Sequence, residues 1–160
     1  MLSGVDDSVH VFSLNGYEGY AKITSVYDGD TFRAAIIKHG RVLKFTFRTL
    51  GYDSPEMKPV LSTSRRSDHI YVAKLARDMF KEECGFDDRA HFEQWNPFLC
   101  KNKVNGLVWI KCDKNDKYGR TLVTVYRNKK DTISVNEKML SSGIVNAYDG
   151  RTKPKFHIRV

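Results

Sequence analysis

The chain has 160 residues, 41% hydrophobic and 12% aromatic, which is enough to fill the core of one domain and too much for a disordered chain. Its net charge of +8 favours an acidic partner, nucleic acid ahead of an anionic membrane surface. No stretch approaches the ~20 apolar residues that span a bilayer. The acidic start MLSGVDDSVH is unlike a signal peptide, and three widely spaced cysteines, Cys84, Cys100 and Cys112, fit reduced thiols, so an intracellular, cytoplasmic setting is expected.

Residues 1 to 19 hold a short apolar alternation, Val9, Val11 and Leu14, ahead of the turn signal Asn15-Gly16, and no role is assigned to them. Tyr20 to Val26 reads as a strand, Asp28-Gly29 as a tight turn, and Thr31 to Lys38 as a second strand. His39-Gly40 turns the chain into a third strand, Arg41 to Leu50, and a meander of this kind tends to curl on itself. The segment MKPVLSTSRRSD suits an exposed loop before a helix. Val72, Leu75, Ala76, Met79 and Phe80 then recur at helical spacing, and Cys84-Gly85 is a fitting stop. Residues 86 to 103 lack periodicity but carry Phe86, Phe92, Trp95 and Phe98, which suit a satellite cluster over the helix end better than a lid of stacking rings. Leu107 to Cys112 and Arg120 to Tyr126 read as strands around a charged loop, Asp113 to Gly119. Ser134-Val-Asn-Glu137 is a capping box that opens a short helix from about Val135 to Ser142, with Gly143 as its stop. The order is β-β-β-α-β-β-α, an α+β chain.

Lys44 to Glu56, KFTFRTLGYDSPE, concentrates the chemistry. Phe45 and Phe47 alternate with Thr46 and Arg48, as in a strand with one buried face. Strict alternation from Arg48 would put Leu50 and Tyr52 on its side and Asp53 on the other. Bringing Arg48 and Asp53 together therefore needs a break in the pleat, and Gly51 is placed to supply it. Pro55 biases Ser54 toward extended backbone, which relates the Ser54 carbonyl to the Asp53 and Glu56 side chains. Two acids and a cation so gathered suggest metal-assisted chemistry on an anion. Asp28 and Asp30, at i and i+2 beside Gly29, suit a hard cation, although Asp-Gly is also common in solvated turns. Asp116 to Arg120 is a β-turn candidate ending in a cation. No CxxC-type pair supports a zinc site through Cys84, His91, Cys100 and Cys112.

Taken together and in this order, Asp28-Gly29-Asp30-Thr31, Phe47-Arg48, Asp53-Ser54-Pro55-Glu56, Asp116-Lys117-Tyr118-Gly119-Arg120 and Val135-Asn136-Glu137 resemble the staphylococcal nuclease (SNase-like) family. The resemblance implies an OB-fold, a five-stranded β-barrel with helices packed on it. It covers one such domain over residues 1–160 with a core at about 20–148, and the chain departs from the family pattern in an insertion at about 86–103 and in a basic tail at 151–160, where Arg151, Lys153, Lys155 and Arg159 suit either a backbone-binding tail or a solvated end. It further implies a Ca²⁺-dependent phosphodiesterase that hydrolyses DNA and RNA to 3′-phosphate products, and a monomer is expected. In that pattern Asp30, Asp53 and the Ser54 backbone carbonyl match the Ca²⁺ ligands, with Asp28 in the outer shell. Glu56 matches the general base, and Arg48 and Arg120 match the pair that binds the phosphate. Lys117 and Tyr118 match nucleotide-binding positions. Tyr148 matches a tyrosine beside the base when a one-residue gap is allowed, a core tyrosine being the other reading. The alternative is an OB-fold module that binds single-stranded nucleic acid without cutting. Such a module has no use for Glu56 or for acids that repel phosphate when no metal is bound.

Overall fold

A computed structural model describes residues 2–88, 105–151 and 156. Strands β1 (Glu18–Val26), β2 (Thr31–Lys38) and β3 (Arg41–Thr49) form the expected antiparallel meander, with Ala21, Ile23, Phe32, Ala34, Ile36 and Phe47 turned into the core. After the two-residue strand β4 (Tyr52–Asp53), the chain supplies β5 (Leu107–Asn115) and β6 (Thr121–Tyr126). β3 pairs in parallel with β6, and β5 bridges β6 and β1 antiparallel, closing a barrel in the order β1-β2-β3-β6-β5. This is the expected five-stranded OB-type barrel. β4 and a last strand, β7 (Asn146–Ala147), pair outside it, and both are too short to leave a periodic signal.

Three details depart from the expectations. β5 runs on to Asn115 through a register shift after Cys112, so the charged loop narrows to the turn 116–119; backbone pairing continues here although the apolar alternation has ended. Helix α1 (Arg66–Glu83) begins before its apolar stripe, at Arg65 in left-handed geometry (φ 52°). Its buried stripe is Ala73, Ala76 and Phe80, and Leu75 is 42% exposed, because small alanines let the helix lie close to the barrel and Leu75 falls to one side. At the far end of the chain's first segment, Val9 and Val11 are exposed. Leu14 is buried, and the Gly16 N–H donates to the Cys112 carbonyl while the Cys112 N–H donates to Tyr17, which fastens the segment to β5.

Both helix stops follow the sequence. α1 ends in a Schellman motif: Gly85 (φ 59°) donates to the Glu82 carbonyl and Phe86 to that of Lys81. Helix α2 (Val135–Ser141) has the full capping box between Ser134 and Glu137, and Gly143 follows at φ 72°. Phe86 belongs to the main core and not to a separate satellite cluster. Phe92, Trp95, Phe98, Cys100 and the tail residues Lys153, Lys155 and Arg159 lie outside the described residues. Among the described residues no helix is long and apolar enough to cross a membrane.

Candidate active site

The pleat breaks where the charges require it. β3 ends at Thr49, whose N–H reaches the Asp30 carbonyl, and Gly51 takes φ 92° before β4 resumes. That conformation is strained for any residue with a Cβ. The turn carries Asp53 back to Arg48, whose Nη2 lies 2.5 Å from Asp53 Oδ1 and 3.4 Å from Asp30 Oδ2. Arg48 Nη1 also donates to the Tyr52 carbonyl at 3.4 Å. All three charged side chains are buried.

The Asp28 turn is built differently from an extended i, i+2 pair. Asp28 Oδ1 accepts the N–H groups of Asp30 (3.0 Å) and Thr31 (2.7 Å), folding the carboxylate over its own turn. Asp30 accepts from the Thr31 hydroxyl at 2.7 Å and from the Ser54 N–H at 2.8 Å, which ties β2 to the segment after β4. Gly29 serves close approach rather than turn freedom. A Cβ there would meet Ala76 Cβ and Ser54 Cβ at 3.0 Å each, so α1 packs directly on the turn. The fully buried Tyr52 donates its hydroxyl to the Gly29 carbonyl at 2.6 Å and holds the turn from the other side. Nothing in the strand pattern distinguished Tyr52 from a core ring, and only the fold brings it to Gly29.

Three carboxylates crowd one guanidinium. Burial, then the neighbouring charge of Asp30, pushes Asp28 up to about 7, against the opposing N–H bonds. Burial works against the Arg48 charge, but Asp30, Asp53 and Asp28 outweigh it and raise its pKa. The surplus negative charge and an all-oxygen donor set suit a hard divalent cation. Among the described residues no group of three or more His, Cys, Asp and Glu side chains is arranged as a metal site, so such a cation would draw part of its shell from the Ser54 carbonyl, water or substrate.

Asp28, Asp30, Arg48, Ser54, Glu56 and Arg120 line one cleft of about 190 Å³. Arg120 enters it from the turn before β6. Its Nε donates to Asp116 Oδ2 at 2.7 Å and its Nη1 to the Thr31 hydroxyl at 3.4 Å. Asp116 also accepts the N–H groups of Tyr118 and Arg120, a closed turn that aims the guanidinium. Asp53 is not among the residues that line the cleft and meets it through its pair with Arg48. Tyr118 is 71% exposed at the rim, with Arg120 at 5.4 Å and Lys117 at 5.1 Å from its ring centre. Tyr148 lies with its ring centre 5.4 Å from the Arg48 guanidinium, and its N–H donates to the Gly51 carbonyl. Lys58 and Thr31 also line the cleft, and neither was singled out in the sequence, Thr31 although it ends the Asp28-to-Thr31 motif.

A family model described as staphylococcal nuclease homologue matches residues 46–158, more than half of the chain. The match includes Arg48, Asp53, Glu56, Arg120 and Tyr148, while Asp28 and Asp30 precede it. No curated protein matches the chain significantly.

Proposed function

Because the chain belongs to the staphylococcal nuclease homologue family, we propose that it is a Ca²⁺-dependent phosphodiesterase that hydrolyses DNA and RNA and leaves 3′-phosphate ends. The observation that carries this reading is the convergence of Glu56, Arg48, Arg120 and Asp30 on one cleft, since a binding module needs the cations but not the acids. Asp30, Asp53 and the Ser54 carbonyl would hold Ca²⁺, with Asp28 outside them. Bound there, the ion supplies positive charge against the scissile phosphate and helps acidify water.

The remaining chemistry belongs to the chain's own side chains. Glu56 takes a proton from the attacking water as its oxygen bonds to phosphorus. Arg48 and Arg120 donate to the phosphate's non-bridging oxygens, and their planar forks keep two parallel bonds as charge grows there. The P–O5′ bond breaks, and the departing oxygen takes a proton from solvent. Arg48 is held by Asp53 and Asp30 before substrate arrives, which fixes its place but requires it to share its donors once phosphate binds. Lys117, Tyr118 and Tyr148 flank the nucleotide.

The test is cleavage of single- and double-stranded DNA and RNA with Ca²⁺, with Mg²⁺ and in chelator. Degradation with Ca²⁺ that stops on chelation is expected. Binding without cleavage under every ion would establish the non-cutting module instead, and cleavage retained in chelator would refute the metal dependence.

A further inference from the structure

The outer wall of the barrel carries a second constellation, which the cleft does not use. Val108, Ile110 and Val125 are fully buried, so the alternation on β5 and β6 turns Trp109 and Tyr126 to the outer face, where both rings are half-buried. The ladder sets Tyr20 of β1 opposite Trp109, and Trp109 opposite Tyr126, giving one row of rings across three adjacent strands. Tyr20 is 53% exposed and meets Trp109 edge-on, with centroids 5.0 Å apart and planes at 86°. Lysines lie over two of the rings: Lys129 Nζ is 4.8 Å from the Trp109 centroid and Lys111 Nζ 5.6 Å from that of Tyr126. In the adjoining row Glu18 faces Lys111 at 3.7 Å, a half-exposed pair that salt screens.

We propose that this row is a second binding site, for single-stranded nucleic acid, separate from the cleft. Rings with ammonium groups on their faces suit a chain of flat bases joined by phosphates, because each base can replace a lysine on a ring and each displaced lysine can pair with a phosphate. An apolar protein surface would strip water from Lys111 and Lys129 without replacing it. A duplex keeps its bases stacked inside and has no face to offer the rings. The row lies far along the strands from the cleft. From Arg120, in the turn before β6, to Tyr126 at the end of that strand the chain advances six residues, about 20 Å at ~3.3 Å per residue. One strand of the roughly 4–16 nucleotides that OB barrels cover can reach both places.

The experiment measures binding of a labelled oligothymidylate of about 16 nucleotides to the full chain in chelator, so the outcome does not depend on cleavage. Tyr20→Ala and Trp109→Leu should each weaken binding roughly tenfold, the loss of about one stacked base. Lys129→Ala, in the loop after β6 where it cannot disturb strand pairing, should weaken binding and lower the salt slope by about 0.7. A nucleoside 3′,5′-bisphosphate, small enough for the cleft alone, should bind parent and variants alike in Ca²⁺. Unchanged oligonucleotide affinity in all three variants would overturn the proposal, as would equal competition by duplex of the same length. So would variants that alter only self-association or binding to anionic vesicles.

Discussion

Replacing Asn136 with alanine should cost about 2–6 kcal/mol of folding stability, because this side chain finishes a sheet edge that the bend at Gly51 leaves open. The parallel pairing of β3 with β6 stops at Thr49 and Val123. Beyond that point Asn136, at the start of α2, takes the place of a strand. Its Oδ1 accepts the Val125 N–H at 2.9 Å, and its Nδ2 donates to the carbonyls of Leu50 (2.8 Å) and Val123 (3.0 Å). The Val123 carbonyl keeps the Leu50 N–H when the amide is removed, whereas the buried Val125 N–H loses its acceptor. A stranded donor costs ~1–3 kcal/mol and each further bond ~0.5–1.5, a large fraction of the ~5–15 kcal/mol that holds a domain together. Asn136→Asp should be worse than Asn136→Ala, since it keeps the acceptor but points a charged oxygen at two carbonyls. Urea unfolding followed by circular dichroism measures both. Because Leu50 lies between Arg48 and Asp53, residual activity should fall further than the loss of folded protein explains. A change below about 1 kcal/mol for the alanine variant, or an aspartate variant more stable than the alanine one, would refute the edge-capping argument.

Gly29→Ala should destabilise the fold by ~1–3 kcal/mol through the 3.0 Å contacts with Ala76 and Ser54, and a neutral thermal melt would contradict the close packing of α1 on the turn. Glu56→Gln should lower turnover by ~10²–10⁴ while a nucleotide analogue still binds; unchanged turnover would remove Glu56 from the role of base. Burial and the neighbouring Asp30 charge push Asp28 up to about 7 from an ordinary 3.8, so its protonated form favours folding. That contribution is fully present below pH ~3.8 and is lost as pH rises through about 7. Melting in chelator should therefore show Asp28→Asn gaining on the parent protein as pH is raised from about 5 to about 8, and a pH-independent difference would count against the crowded carboxylates.

Much of the architecture was legible because it rests on local chemistry. Alternation marked the five barrel strands, the Ser134–Glu137 box and Gly143 bounded α2, and Cys84-Gly85 ended α1. The bend at Gly51 could be reasoned out, because period-two geometry forbids Arg48 and Asp53 from meeting in a regular strand. The acids and arginines of the cleft were each ambiguous by type and spacing alone, and only their motifs taken together resembled a known family. Tertiary structure decided the rest. Pairing β4 with β7 and lodging Asn136 at the edge of β6 depend on backbone groups that every residue carries, so no side-chain pattern announces them. The seating of α1 on Gly29, which made Ala73 and Ala76 its buried face and left Leu75 exposed, depends on the distance between two surfaces. The same holds for the row of Tyr20, Trp109 and Tyr126: three aromatic residues far apart in the chain become neighbours only when the barrel closes β5 onto both β1 and β6.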